Sequence, residues 1–167
     1  TDLAVEARAV KWWHHREAVL GFDIAGDESR HAVGEHQDVI AWLVDRDVPV
    51  TIHAGEARGW ESVRDALHAS SWRARIGHGV RSVENVSFVR ELAERGVHLE
   101  VCPSSNVHTG VVEGLESHPL RALYELGVQV SVSADNRSMS ATSTSRELAL
   151  VESVFSLTAE NLCAIQT

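Results

Sequence analysis

The stretch VPVTIHAGEARGW, residues 48–60, runs through a β-branched segment that reads as a buried strand and stops at His53, with Glu56 three positions on. Ionisable groups at the end of a buried strand are costly unless they are paired, hydrogen-bonded or put to chemical use. Ala54 and Gly55 between them make a turn short enough to aim both side chains at one cavity. Four more short apolar runs end on polar clusters in the same manner: DIAGDE (23–28), GHG (77–79), CPSSN (102–106) and SADN (133–136).

Helix-period segments separate these runs. They are predicted over 3–17, 35–46, 62–70, 82–96, 117–127, 145–155 and 159–166, with strands within 18–26, 48–54, 74–80, 97–106 and 128–136. Ser82 and Ser117 are placed to cap the starts of their helices, and Gly96 and Gly127 their ends. Thr144 with Glu147 reads as a capping box, and Thr158 as the cap of the last helix. Strands that alternate with helices form a parallel sheet, because parallel neighbours need a crossover and a helix is the usual one.

An open doubly wound sheet gathers ligand groups at one switch point, whereas a barrel brings every strand C-terminus to a single site. Five loaded strand ends favour the barrel. A complete TIM (β/α)8 barrel of ~250 residues uses roughly 31 per unit, so 167 residues hold about five units. The predicted fold class is α/β, a partial TIM (β/α)8 barrel resembling strands 4 to 8 and lacking the N-terminal units, as one domain over 1–167. Such a sheet has two open edges, and the missing N-terminal half or a second chain is expected to cover them.

Composition narrows the function. A net charge of −9 lacks the basic stripe that a phosphate backbone or an anionic membrane surface requires, so neither nucleic acid nor membrane is expected as a partner. No window approaches 18 consecutive apolar residues, and the first ten residues lack the layout of a secretory signal. Two cysteines, Cys102 and Cys163, make neither a disulfide framework nor a Cys-x-x-Cys, which predicts a reducing compartment and a cytoplasmic location. The ten histidines are the one oddity of composition.

His53 offers a lone pair and Asp135 a carboxylate, each at a strand end, and together they suit part of a Zn²⁺ site with nitrogen and oxygen donors. Glu56 in a dry pocket would hold a proton near neutral pH and serve as a general acid. His78, between two glycines with little steric cover, can reach a water as base or as electrostatic anchor. Asn136 adds an amide donor and acceptor beside Asp135. Gly26 allows a backbone N–H close to a flat ligand, since no Cβ intervenes. Each has a plainer reading: turn glycines at 77 and 79, a first-turn helix glutamate at 56, an Asx turn at 135–136. One cavity explains the whole set, whereas the plain readings are independent coincidences. The remaining histidines, His68, His98, His108 and His118 among them, read as structural or solvated. Trp12, Trp13, Trp42 and Trp72 read as packing.

In order along the chain, GFDIAGDE (21–28), HAGE (53–56), RIGHGV (75–80), LEVCPSSN (99–106), HPLRALYELGVQVSVSADN (118–136) and RSMSATS (137–143) resemble the adenosine deaminase family of metal-dependent barrel hydrolases. The resemblance implies that His53 and Asp135 are zinc ligands and that Glu56 protonates the purine at N1. It further implies that His78 positions and helps deprotonate the attacking water, and that Gly26 contacts the purine through its backbone. Many family members carry two successive aspartates where this chain has Asp135 and Asn136; the amide at 136 can donate to purine N7 without first being protonated. The family's first strand also carries a His-x-His pair that supplies two zinc ligands, and these 167 residues hold no such pair. The implied reaction is hydrolysis of a purine nucleoside, adenosine, to inosine and ammonia. Two alternatives stand beside it: a non-catalytic barrel remnant that binds a purine or a partner, and a deaminase of adenine, AMP or a modified adenosine.

Overall fold

Alternation of apolar and polar residues builds five short strands: β1 (Phe22–Ile24), β2 (Val50–Ala54), β3 (Arg75–His78), β4 (His98–Val101) and β5 (Gln129–Val132). They appear in a computed structural model that describes residues 20–166; the helix expected over 3–17, with Trp12, Trp13, His14 and His15, lies outside the described residues. The strands pair in parallel in the order β1-β2-β3-β4-β5. In register, His53 lies beside Gly77 and Ala54 beside His78.

One face of the sheet is apolar. Val50, Ile52, Ile76, Leu99, Val101, Val130 and Val132 pack against the helices that follow the strands. These are α1 (Gln37–Val44), α2 (Trp60–Ala69), α3 (Val86–Glu94), α5 (Leu120–Glu125) and α7 (Thr144–Phe155), which contribute Ile40, Leu43, Val63, Leu67, Val89, Leu92, Leu120, Leu123 and Val151 to the core. Each fully buried leucine or isoleucine contributes about 1.5–3 kcal/mol. The opposite face carries Asp23, Thr51, His53, Arg75, His98, Glu100 and Ser131. Arg75 Nε meets Glu100 Oε1 at 2.7 Å and His98 Nε2 meets Ser131 Oγ at 2.8 Å across neighbouring strands. Burial and the Arg75 cation hold the His98 imidazole below its ordinary range.

Two short helices, α4 (Pro103–His108) and α6 (Arg137–Ser140), stand at the C-terminal ends of β4 and β5, and α8 (Ala159–Gln166) lies against β5. Within the described residues β1 and β5 are the terminal strands of the sheet. No helix among them is long and apolar enough to cross a membrane.

Several local expectations are corrected. The segment after β4 is helical where a loop was expected, because Pro103 sits at the first helical position, where its fixed φ suits the turn. Ser82 belongs to a 3₁₀ turn, Val80–Glu84, and the cap of α3 is Asn85, whose extended backbone lets Oδ1 accept the Phe88 N–H at 3.1 Å. Ser117 closes a separate 3₁₀ turn onto Gly114 rather than capping α5. Ser143, not Thr144, caps α7, while Glu147 turns inward. Gly96 and Gly127 do end their helices, with φ of +64° and +85°. Thr158 and Asn161 exchange the reciprocal bonds of a capping box at the start of α8.

Candidate active site

The turn after β2 is built around one carboxylate. Glu28, 9% exposed, accepts the N–H of Gly55 at 2.8 Å on Oε1, and those of Glu56, Ala57 and Arg58 at 3.1, 2.8 and 3.0 Å on Oε2. The Ser62 hydroxyl also donates to it. Successive N–H groups converging on an anion form a nest, and Glu28 occupies it from within the chain. Gly55 is required twice over: its φ is +70°, and a Cβ would sit 2.5 Å from Val63 Cγ2. Glu56 is thereby aimed at the end of β3, where its Oε2 lies 3.5 Å from His78 Nε2, and Thr109 Oγ1 donates to its Oε1 at 3.1 Å. The dry pocket expected for Glu56 is not found among the described residues: its side chain remains 21% exposed because the turn holds it at the strand ends rather than in the core.

His78 is the better buried partner, 2% exposed, on a left-handed backbone with φ +64°. Far from having little cover, its ring is enclosed, with Nδ1 3.1 Å from Asn106 Nδ2. Burial holds its pKa below the ordinary imidazole value. The His53 ring stands edge-on to it, centroids 5.0 Å apart, over Gly77, where a Cβ would come within 2.6 Å of His53 Cδ2. His53 Nε2 faces Asp23 Oδ1 at 3.7 Å.

Asp135 is exposed, three residues past β5, with φ +51°; the expectation of a carboxylate at a buried strand end is corrected on that point. Its Oδ2 accepts from Ser105 Oγ at 2.6 Å, and its carboxylate, the Cys102 thiol and a His78 ring nitrogen lie within 4.8 Å of one another. Burial pushes the Cys102 thiol up, so it stays protonated beside these groups. Asn136 realises the plain reading: its Oδ1 caps α6 by accepting the Met139 N–H at 3.1 Å, and the cap does not use its Nδ2. Gly26 is exposed with φ +148°, and a Cβ there would meet nothing within 4 Å. Backbone conformation, not close approach, is what calls for glycine at 26.

His78 is thus the common neighbour of Glu56, His53 and Asp135. A 630 Å³ cavity beside β1 and β2, which Gly26 also lines, touches this group at His53, while Glu56, His78 and Asp135 meet outside it. The His78 imidazole at the end of β3 and the Asp135 carboxylate past β5, brought together beside a protonated thiol, make a nitrogen and oxygen donor set that fits a divalent cation.

Reasoning from sequence missed Asp23, Glu28, Asn106 and His118. Strand alternation puts Asp23 on the face of His53 and could have found it. Glu28 and Asn106 gave only their places at the ends of loaded clusters, and His118 read as one more structural or solvated histidine.

The sequence profile of the adenosine deaminase family matches residues 3–167. The chain belongs to the adenosine deaminase family. Among curated relatives, the adenine deaminase of Sinorhizobium medicae is 45% identical over 135 residues, 80% of this chain and 41% of that protein. The chain therefore spans about two fifths of that family member's length. Among solved structures, an adenine deaminase from Arthrobacter aurescens superposes with a TM-score of 0.91 at 21% identity, covering 99% of this chain and 50% of that one. An amidohydrolase from Burkholderia ambifaria with bound Zn superposes with a TM-score of 0.84 at 23% identity, covering 95% of this chain and 45% of that one. The five parallel strands are accordingly part of a TIM barrel, as the strand ends implied.

Proposed function

We propose that the full-length protein containing this chain hydrolyses the 6-amino group of adenine, giving hypoxanthine and ammonia. The observation that carries the reading is the convergence of Glu56 and His78 at 3.5 Å beside His53 and Asp135, in a family member whose relative at 45% identity is an adenine deaminase. Adenine takes the place of adenosine on the strength of that relative.

In this reading His53 and Asp135 hold Zn²⁺ together with ligands from the rest of the full-length protein. When bound, the metal supplies hydroxide from water near neutral pH. Glu56 delivers a proton to purine N1, so that negative charge does not build on the ring as C6 is attacked. The Glu28 clamp fixes where that proton is presented. Asn136 Nδ2 donates to N7, and the Gly26 backbone borders the ring. A water's oxygen enters C6 and the amino group departs as ammonia, so the reaction is balanced without a redox partner.

The test is ammonia release by the metal-loaded full-length protein with adenine, adenosine and AMP. We expect adenine to give a kcat/KM at least roughly tenfold above the others, the discrimination that 1.4 kcal/mol provides. Preference for adenosine or AMP overturns the substrate; binding of purines without turnover overturns the reaction. Glu56→Gln should lower kcat by about 10²–10⁴-fold, the range for a general acid, with metal content unchanged.

A further inference from the structure

Behind His78 lies a run of polar side chains that the reaction as described does not use. Asn106 is 0% exposed and His118 4%, the latter with its ring 6.4 Å from that of Phe155. Buried polar groups survive there only when satisfied, and these satisfy one another in a single file. Leu120 N–H is 3.1 Å from His118 Nδ1, His118 Nε2 is 3.1 Å from Asn106 Oδ1, and Asn106 Nδ2 is 3.1 Å from His78 Nδ1.

The direction of every proton in this file follows from its first member. A main-chain N–H can only donate, so His118 Nδ1 accepts. Leu120 opens α5 just after Pro119, and its N–H is one of the helix-terminal donors that lack an internal partner. An imidazole that accepts at Nδ1 is neutral and carries its proton on Nε2, and burial, which pushes His118 down to about 4, acts in the same sense. Nε2–H then donates to Asn106, which must present its oxygen there and its NH₂ group on the other side. That NH₂ donates to His78 Nδ1, which therefore bears no proton. His78 is left with its proton on Nε2, the nitrogen facing Glu56.

We propose that Asn106 and His118 are positioning residues that lock His78 in the Nε2–H tautomer, so that His78 meets the reaction space as a hydrogen-bond donor and not as a base. A nitrogen that already holds its proton cannot take one from water. The ring instead orients an oxygen nucleophile and stabilises its charge, and proton acceptance falls to another group. The tautomer itself follows from the buried file alone; its meaning for catalysis rests on the function proposed above.

The two parts are tested separately. With ¹⁵N-histidine in the full-length protein at neutral pH, NMR should show His78 with a protonated Nε2 and an unprotonated Nδ1, the signals assigned by their loss in His78→Gln. Asn106→Asp removes the NH₂ donor and offers only acceptors, so the proton should move to Nδ1 and the two nitrogen signals should exchange character. His118→Gln keeps a donor toward Asn106 Oδ1 and should leave the wild-type pattern in place. A wild-type His78 protonated at Nδ1 overturns the lock, as does an Asn106→Asp pattern identical to wild type. Should Asn106→Asp fail to fold, the wild-type and His118→Gln spectra decide. For catalysis, Asn106→Asp should lower kcat for adenine at least roughly tenfold with KM little changed, and His118→Gln should retain activity. An unchanged kcat in Asn106→Asp with the exchanged spectrum overturns the donor role; absence of turnover in the wild type overturns only the proposed function.

Discussion

Glu56 and His78 face each other across 3.5 Å, yet opposite means hold them in place. On the β2 side a buried carboxylate, Glu28, gathers four successive main-chain N–H groups, so the turn that aims Glu56 is set by charge and backbone. On the β4 side neutral side chains, Asn106 and His118, pass one hydrogen-bond direction from a helix start to His78. A charged clamp fixes position, because an anion accepts from any donors that reach it. A neutral file fixes protonation as well, because each amide or imidazole must donate on one side and accept on the other.

The contrast breaks most visibly at Glu28. Glu28→Ala leaves the main-chain N–H groups of Glu56, Ala57 and Arg58 without their acceptor, Gly55 N–H keeping Ser62 Oγ, and should destabilise the protein by roughly 3 kcal/mol or more. Glu28→Gln, which exchanges one acceptor oxygen for a donor, should cost roughly half that. Urea unfolding of the two variants measures both, and equal losses would show that the acceptor oxygens of Glu28 do not hold the turn.

The neutral file should answer to acid. His118 is protonated near 6.5 when unfolded and near 4 when folded, so between those values the unfolded chain binds the extra proton. Stability should be fully present above about pH 6.5 and fall by roughly 3 kcal/mol as pH drops toward 4. In His118→Phe that part of the acid loss should vanish, which urea midpoints taken across the range will show.

A smaller effect sharpens the comparison by testing the floor between the two walls. Gly77→Ala puts a methyl 2.6 Å from the His53 ring, and overpacking of this kind costs about 1–3 kcal/mol. Because the ring must move, zinc affinity measured by competition should weaken, while the Glu56–His78 side is left in place.

The alternation of strands with helices and their parallel pairing were legible in the chain, because hydrophobic periodicity is a local pattern, and the loaded strand ends marked His53, Glu56, His78 and Asp135 as candidates. Helix starts were less so. Ser82, Ser117 and Thr144 have the chemistry of caps, and Asn85 and Ser143 took two of those places because capping depends on backbone angles set by the preceding turn. The burial of Glu56 and Asp135 was misjudged for a similar reason: residues one turn past a strand inherit its direction but not its cover.

Sequence alone determined which side chains stand at each strand end, since side-chain type and spacing are written there directly. Only the tertiary structure decided what supports that chemistry. Glu28 reaches a turn 27 residues ahead, and His118 reaches His78 through an amide 28 residues beyond it, contacts that local periodicity cannot encode because parallel pairing of distant strands creates them.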